Sequence, residues 1–217
     1  NSFYCFSNPG EDNFPIKRKP NKTLIYGCFS NIKKINETVI DSWTKILSKN
    51  TDSRILLKSQ YYRDEEIKES ILKKFLDEGI NETRITFDYD SLRENYLLNY
   101  NNIDVILDTY PYPGGTTTCE SLFMGTPVIT MEGNSFLSRN GENILRNSGF
   151  SDFIAKNKKE YIDIAIDIKN ILNNLNYNKE NIRKKFINSS IMNQKEFTFD
   201  FKIKLKDKWK EYLSRKK

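Results

Sequence analysis

The amino-acid sequence predicts an α/β fold, a Rossmann-like parallel sheet with helices on both faces. Two observations predict it. Short apolar runs typical of buried strands alternate about six times with segments of helical periodicity, from residue 23 onward. The length of 217 residues also suits one domain with a covered sheet. In such sheets the crossovers are right-handed, and ligands bind beyond the carboxyl ends of the strands.

The first half of the alternation opens with TLIYGCF, a short β-rich run. The helix predicted after it carries Val39, Trp43 and Leu47 at helical spacing. The second helix is closed by Gly79, and Asp90 or Ser91 is placed to cap the third. This half comprises predicted strands at 23–29, 53–59 and 84–89 and predicted helices at 36–49, 63–79 and 90–102.

The second half repeats the pattern and ends in helices. DVILDT forms the fourth predicted strand, and Gly125 closes the helix that follows. The tail is predicted as one long amphipathic helix because its apolar residues, among them Phe201, Leu205 and Trp209, recur at helical spacing. This half comprises predicted strands at 104–109, 127–133 and 152–155 and predicted helices at 116–125, 138–149, 159–175, 178–190 and 197–217.

Composition narrows the function classes. The net charge is +6, but the lysines are scattered among nearly as many acidic residues, and no basic run with interleaved aromatic residues indicates a nucleic-acid partner. No apolar run reaches the length of a membrane helix, so no membrane partner is expected. Three isolated cysteines, without a CxxC pair, indicate neither a disulfide framework nor a zinc site, and they favour a reduced, cytoplasmic setting.

The first residue of the sequence and its lack of histidine both bear on whether the sequence is part of a longer protein. The sequence begins with Asn rather than Met, and we expect a piece of a longer protein. It holds no histidine, so any histidine base belongs to a part of the protein beyond it. Two prolines and many charges in GEDNFPIKRKPNK, residues 10–22, predict a linker ahead of the first strand.

The stretch YPYPGGTTTCESLFMGTPVIT, residues 110–130, carries the chemistry. Gly114 and Gly115 let the backbone approach a ligand closely. Thr116, Thr117 and Thr118 add hydroxyls at a helix N-terminus, whose free N–H groups attract phosphate. Glu120, one turn later, can accept hydrogen bonds from a ribose diol. The stretch is neither a Walker loop nor a GxGxxG fingerprint, and a glycine turn followed by Ser/Thr capping is the alternative interpretation.

A longer segment resembles a known family. DVILDTYPYPGGTTTCESLFMGTPVITMEGNSFLSRNGENILRNSGF, residues 104–150, resembles the donor-binding half of the protein O-GlcNAc transferase family, close to its bacterial SPINDLY-like members. NSFYCFSNPG, YGCFSNIKKI and SRILLKS recur upstream in the family's order. The resemblance covers nearly the whole chain and is strongest over residues 103–150.

The resemblance implies a GT-B glycosyltransferase, with two Rossmann-like lobes facing each other across a cleft. The reaction would be inverting and need no metal or other cofactor, with a UDP-sugar donor, typically UDP-GlcNAc, and a Ser or Thr hydroxyl of a protein as acceptor. This chain would be the C-terminal, donor-binding lobe. Its implied parts are an inter-lobe segment at 1–22, the nucleotide-sugar-binding lobe at 23–192 and a C-terminal helix at 193–217. The N-terminal lobe, with the family's histidine and any tetratricopeptide repeats, would lie outside it.

Four residues match the family's ligand-binding positions. Thr116 and Thr117 match the threonines that hold the diphosphate, and Glu120 takes the place of an acidic ribose ligand. Lys34, in SNIKKI, matches the lysine that neutralises the departing phosphate, and is the one residue to which we assign a catalytic role. The alternative for Lys34 is a solvated surface lysine.

Three further positions depart from the family pattern. Asn31 stands where some members have a Gln near the phosphate and sugar. Arg93 falls where animal members place a lysine that touches the nucleoside, and Tyr96 where they place a histidine near the base. Arg93 and Tyr96 are alternatively ordinary helix-surface and core residues. These departures leave the identity of the donor open. Its base could be uracil or guanine, and its sugar could be GlcNAc, glucose or fucose.

The mechanism and acceptor have alternatives. Retaining GT-B enzymes often carry Glu-x7-Glu ending at the ribose-binding glutamate, but Tyr112 stands eight residues before Glu120, which favours inversion. No DxD-type cluster offers a metal site, so a lysine and a helix dipole would stabilise the leaving diphosphate. Two other functions remain open: a GT-B enzyme acting on a lipid or polysaccharide, and a nucleotide-sugar-binding module without turnover.

Overall fold

A six-stranded parallel sheet forms the centre of the structure. The structure is a computed structural model, which describes residues 2–10, 13–17, 23–90 and 92–215 but not the side chains of residues 93 and 94. The strand order is β3-β2-β1-β4-β5-β6, the order of the classic Rossmann fold. The predicted α/β fold class is therefore confirmed. The strands are β1 Ile25–Cys28, β2 Arg54–Lys58, β3 Ile85–Asp88, β4 Val105–Leu107, β5 Val128–Met131 and β6 Ile154–Ala155.

Helices connect these strands and cover both faces of the sheet. Asn36 and Asp64 begin the first two helices, each accepting a hydrogen bond from the first turn, which satisfies N–H groups that lack an intrahelical partner. The helices are α1 Glu37–Lys49, α2 Glu65–Asp77, α3 Arg93–Leu98, α4 Thr116–Phe123, α5 Asn140–Ser148, α6 Lys158–Ile166, α7 Ile168–Asn174, α8 Lys179–Ile187 and α9 Gln194–Ser214.

The core lies between the sheet and its helices. Trp43 of α1 is fully buried and donates its indole N–H to the Tyr161 hydroxyl of α6 at 3.3 Å. Tyr26 of β1 is likewise buried, and its hydroxyl donates to the carbonyl of Ala165 at 2.7 Å. The polar ends of Trp43 and Tyr26 are thus satisfied in the core, whereas the hydroxyl of Tyr62, which is also buried, has no hydrogen-bond partner among the described residues.

Two helix predictions are wrong in extent. The helix predicted over 159–175 is two helices that meet at Asp167. The helix is interrupted because side chains from other elements donate hydrogen bonds to carbonyls at the junction. The Tyr26 hydroxyl donates to the Ala165 carbonyl, and the Asn50 side-chain amide donates to the Ile166 carbonyl at 3.2 Å. The helix predicted over 90–102 begins only at residue 93 and continues as a 3-10 turn over Asn99–Asn102.

Two glycines end helices in the left-handed conformation, as predicted. Gly79 (φ 77°) follows α2, and Gly125 (φ 71°) follows α4. Their surroundings differ. Nothing lies within 4 Å of a Cβ placed on Gly79, whereas a Cβ on Gly125 would lie 2.1 Å from the carbonyl oxygen of Lys179 in α8. Gly125 therefore serves both the helix end and the packing of α4 against α8.

The segment before β1 contacts the body of the protein. The Phe6 N–H donates to the Ile191 carbonyl at 2.9 Å, Phe14 is buried, and the Lys17 N–H donates to the Asn101 side chain at 3.0 Å. Of the predicted linker, residues 11, 12 and 18–22 lie outside the described part of the chain. The division at residues 22 and 192 stays a prediction.

The last helix, α9, stands apart from the core. None of its residues in Gln194–Ser214 is buried, and among the described elements it packs chiefly on the 3-10 turn Ser190–Met192. Within the described ranges, no helix combines the length and the apolar character needed to cross a membrane. The exposed large apolar residues of α9 are Phe199, Phe201, Ile203, Leu205, Trp209, Tyr212 and Leu213.

Candidate functional site

The candidate site lies where the strand order reverses. β1 and β4 are neighbours, but β2 and β5 lie on opposite sides of this pair. The connections leaving the carboxyl ends of β1 and β4 therefore diverge, which opens the crevice where ligands bind in sheets of this kind. Residues 29–36 follow β1 and residues 108–118 follow β4, so the sequence-predicted residues on these two segments are brought to one place.

Lys34 extends from the β1 side of this crevice. It ends a 3-10 turn, Ile32–Lys34, whose start is fixed by Asn31 accepting the Lys33 N–H at 3.0 Å. Its ammonium donates to the Pro113 carbonyl at 3.0 Å and lies 4.0 Å from the centre of the Tyr112 ring. Burial lowers the pKa of Lys34, and the nearby Asp108 carboxylate opposes that effect. The contact with Pro113 makes Lys34 more than a solvated surface lysine.

Asp108 follows β4 on the other side and was missed by the sequence analysis. Its carboxylate accepts hydrogen bonds from the N–H of Gly114 at 2.8 Å, the N–H of Thr109 at 3.0 Å and the hydroxyl of Thr130 at 2.9 Å. It is 3% exposed, and burial raises its pKa to about 6. An acidic residue that ends an apolar strand just ahead of two glycines was the signal for it.

Lys34 and Asp108 hold one peptide unit between them. The carbonyl of the Pro113–Gly114 peptide accepts from Lys34, and the N–H of the same peptide donates to Asp108. A peptide plane bonded on both edges has its orientation fixed. The entrance to α4 is therefore set by two charged side chains from either side of the crevice.

The N-terminus of α4 is open. Gly115 precedes the helix, and no side chain caps it. The predicted alternative, a turn capped by Ser or Thr, is therefore not what the structure shows. Thr116 is exposed, Thr117 is half-buried and Thr118 is 2% exposed. The N–H groups of this first turn have no intrahelical partner, so they remain available to an anion.

Gly114 leaves room for two of these hydroxyls. A Cβ on Gly114 would lie 2.5 Å from the hydroxyl oxygen of Thr118 and 2.6 Å from that of Thr117. A side chain at position 114 would therefore collide with both. Within the described part of the chain, neither hydroxyl makes a hydrogen bond to protein, which leaves them free for a ligand.

The remaining predicted residues lie around this centre. Glu120 is on α4 and only 2% exposed. Tyr96 of α3 donates its hydroxyl to the Phe29 carbonyl, just after β1, at 3.2 Å and packs edge-on against the Phe29 ring. The side chain of Arg93 lies outside the described part of the structure. The ligand roles of these residues stay predictions.

The described residues hold no group of three or more His, Cys, Asp or Glu side chains placed to bind a metal ion. The donors gathered here are an ammonium, backbone N–H groups and hydroxyls, all of which suit an anion. Metal independence itself stays a prediction.

The fold is that of a Rossmann-like α/β lobe of the GT-B glycosyltransferase type, and the N-terminus of α4, which no side chain caps, lies at the switch point, where the strand order reverses. Residues 16–201 match the family model described as Glycosyl transferase family 41. The chain belongs to glycosyl transferase family 41.

Named relatives agree with this membership. The Hordeum vulgare protein described as a probable UDP-N-acetylglucosamine–peptide N-acetylglucosaminyltransferase SPINDLY is 29% identical over 215 residues, which cover 97% of this chain but 23% of the relative. The Caenorhabditis elegans UDP-N-acetylglucosamine–peptide N-acetylglucosaminyltransferase is 28% identical over 195 residues, 90% of this chain and 17% of the relative. The chain thus spans about a quarter or less of these relatives.

A solved structure is similar over almost the whole chain. The K341M mutant of the Thermobaculum terrenum O-GlcNAc transferase superposes with a TM-score of 0.76 and 29% sequence identity, covering 96% of this chain and 38% of that one. The predicted resemblance to O-GlcNAc transferases is confirmed by these comparisons.

Proposed function

We propose that this chain is the donor-binding half of an inverting, metal-independent glycosyltransferase that moves GlcNAc from a UDP-sugar to Ser or Thr hydroxyls of proteins. The relatives' names state UDP-N-acetylglucosamine as the donor and a peptide as the acceptor, and the Ser or Thr hydroxyl is what the family resemblance implies. One observation carries the proposal: at the point where the strand order reverses, the Lys34 ammonium bonds the Pro113 carbonyl, just ahead of the open N-terminus of α4.

This arrangement suits the chemistry of the leaving group. Glycosyl transfer from a nucleotide sugar releases a diphosphate, whose growing negative charge must be stabilised. The N–H groups and dipole of α4 supply partial positive charge, and the Lys34 ammonium supplies a full one. Thr116 and Thr117 would donate hydroxyl hydrogen bonds to the same oxygens. Each of these groups binds anions without a metal ion.

The other predicted residues complete the donor site in this proposal. Glu120 would accept from the ribose hydroxyls, and Asn31 would lie near the phosphate and sugar. Arg93 and Tyr96 would face the nucleoside. The catalytic base, the acceptor groove and the N-terminal lobe would belong to the parts of a longer protein that correspond to the uncovered length of the relatives.

Calorimetry with UDP in EDTA tests the proposal. The parent chain is expected to bind UDP without divalent metal. Lys34→Ala removes a charge-assisted contact worth about 1.5–3 kcal/mol, a loss of roughly 10- to 100-fold in affinity. Uridine, which has no phosphate, should bind both proteins equally. Glu120→Ala should instead weaken both ligands, because both contain the ribose.

Lys33 offers a matched control, since it is exposed and adjacent to Lys34. Lys33→Ala should change UDP affinity by less than about two-fold, the effect of a screened surface charge. A strict requirement for magnesium would refute metal-independent binding. Equal weakening of uridine and UDP by Lys34→Ala would refute the phosphate role of Lys34. Preference for GDP over UDP would replace the uracil assignment.

A further inference from the structure

Tyr4 reaches the entrance of α4 from outside the sheet. A Cβ placed on Gly115 would lie 2.0 Å from the hydroxyl oxygen of Tyr4 and 2.8 Å from its Cζ atom. The phenol end of Tyr4 is therefore against the residue that begins α4. Gly115 leaves the space that this contact needs, and Tyr4 is half-buried there.

The backbone on both sides of Tyr4 is held in place. The Tyr4 N–H donates to the Ser2 hydroxyl at 2.9 Å, which itself donates to Asn143 of α5 at 2.8 Å. Two residues later, Phe6 bonds the Ile191 carbonyl, and its ring packs on Phe123 of α4. Contacts with three separate elements thus position the phenol.

The Tyr4 hydroxyl has no protein partner in the described part of the chain, and the hydroxyls of Thr117 and Thr118 have none either. Thr118 is nonetheless 2% exposed. A hydroxyl without a protein partner keeps its donor and acceptor capacity for a ligand, so three such hydroxyls gathered in one place indicate a ligand site. These three come from two separate segments and converge on Gly114 and Gly115.

The protonation state of Tyr4 suits a donor. Burial raises the pKa of Tyr4, and the nearby Cys119 and Tyr112 act in the same direction. The phenol therefore carries its proton at neutral pH and donates it to an anionic oxygen. Hydrogen bonds from neutral donors to charged acceptors are among the stronger ones in proteins.

We propose that Tyr4 is a ligand-binding residue, whose hydroxyl donates a hydrogen bond to a diphosphate oxygen of the donor bound at the N-terminus of α4. This proposal rests on the proposed function and extends it. The donor site would then include residues 2–10, which lie ahead of the Rossmann-like sheet and were predicted only as a linker between lobes.

Tyr4→Phe tests the contact because it keeps the ring and removes only the hydroxyl. UDP and GDP should both bind about ten-fold or more weakly than to the parent, as for the loss of a hydrogen bond to a charged group. Uridine should bind within about two-fold of the parent, since it lacks the diphosphate. Tyr177→Phe is the matched control: its hydroxyl contacts only Lys185 among the described residues, between α7 and α8, and UDP affinity should not change.

A second variant approaches the same contact from the helix. Gly115→Ala places a methyl group where the Tyr4 hydroxyl lies, so it should weaken UDP binding in the parent. In a Tyr4→Ala background that methyl group has free space, and the additional loss should shrink. Such coupling is the signature of two residues that act through one contact.

The outcomes separate the two proposals. If the parent binds UDP and Tyr4→Phe binds it equally well, the Tyr4 contact is refuted and the donor-site function stands. Equal weakening of uridine would assign Tyr4 to packing and also refute the contact. Failure of the parent to bind either UDP or GDP would refute both proposals together.

Discussion

Asp108 is a single buried carboxylate that organises the candidate site through its hydrogen bonds to the protein. It accepts three hydrogen bonds, from Thr109, Gly114 and Thr130, and is almost completely removed from water. A Cβ on Gly141 would lie 2.9 Å from its second oxygen, so α5 leaves no room for anything larger there. The cost of burying this charge appears in its raised pKa.

That pKa predicts a pH-dependent stability. Above about pH 6 the carboxylate is ionised in the folded and unfolded chain, and its burial opposes folding. Between about 6 and the ordinary value of 3.8, the folded state keeps a proton that the unfolded chain loses, so stability rises as the pH falls. Asp108→Asn should lack this gain. The free energy of unfolding of the parent minus that of the variant should rise by about 2 kcal/mol from pH 7.5 to 4.5.

Urea denaturation at several pH values measures this difference, and all other titrating groups cancel between the two proteins. A difference that stays constant over this pH range would show that Asp108 does not titrate with a raised pKa. A difference that falls would mean that the carboxylate is stabilised, rather than penalised, by its surroundings.

At the residue scale, the sequence predicted those site residues that belong to a local motif or to a family resemblance. The glycines and threonines of 114–118 form a local motif, and Lys34 was found through a family resemblance. Asp108 and Tyr4 were missed because their importance arises from contacts made across the fold, to Thr130 and to Gly115. Nothing in the residues adjacent to Tyr4 reports that Gly115 will lie against it.

At the scale of elements, the contact between α4 and α8 is set by a glycine. The sequence predicted that Gly79 and Gly125 end helices, and both do so with positive φ. It could not predict the Lys179 carbonyl beside Gly125, because α8 is more than fifty residues further along the chain. The junction at Asp167 was missed for the same reason, since the donors that bond its carbonyls come from β1 and from the end of α1.

The two glycines form a matched pair for measurement. Gly79→Ala adds a methyl group in open space and should cost about 1–2 kcal/mol, the penalty for an L-residue in the left-handed conformation. Gly125→Ala adds the collision with Lys179 and should cost about 3 kcal/mol or more. Chemical denaturation gives both values. Equal costs would mean that α8 moves aside freely and that Gly125 serves only the helix end.

At the scale of the whole molecule, the core and α9 differ in how far their side chains are buried. The aromatic and aliphatic core joins the sheet to its covering helices, whereas α9 buries none of its side chains and leaves a series of large apolar residues in water. Such exposure is unusual for a folded chain. We therefore expect the stability of the sheet and its other helices to depend little on α9.

Ending the chain after Asn193 should therefore leave the melting temperature within about 4 °C of the parent, equivalent to about 1 kcal/mol or less for a chain of this size. The same truncation should reduce self-association at high concentration, because it removes the exposed apolar residues. Scanning calorimetry and light scattering measure the two effects. A fall of 10 °C or more would show that α9 holds the core together. Replacing Phe199 and Leu205 by Lys in the untruncated chain is the control for the apolar surface alone.

The hydrogen bonds of the Pro113–Gly114 peptide explain why the glycine–threonine motif, residues 114–118, is not expected to function when it is moved to another protein. Its carbonyl is held by a lysine nearly eighty residues earlier, and its N–H by a carboxylate that depends in turn on Thr130. Grafting residues 114–120 onto another helix would transfer the groups that face a ligand but none of those that aim them. In evolution, too, such a loop can diverge only together with its distant supports, so change at Lys34, Asp108 and Thr130 is expected to be correlated rather than independent.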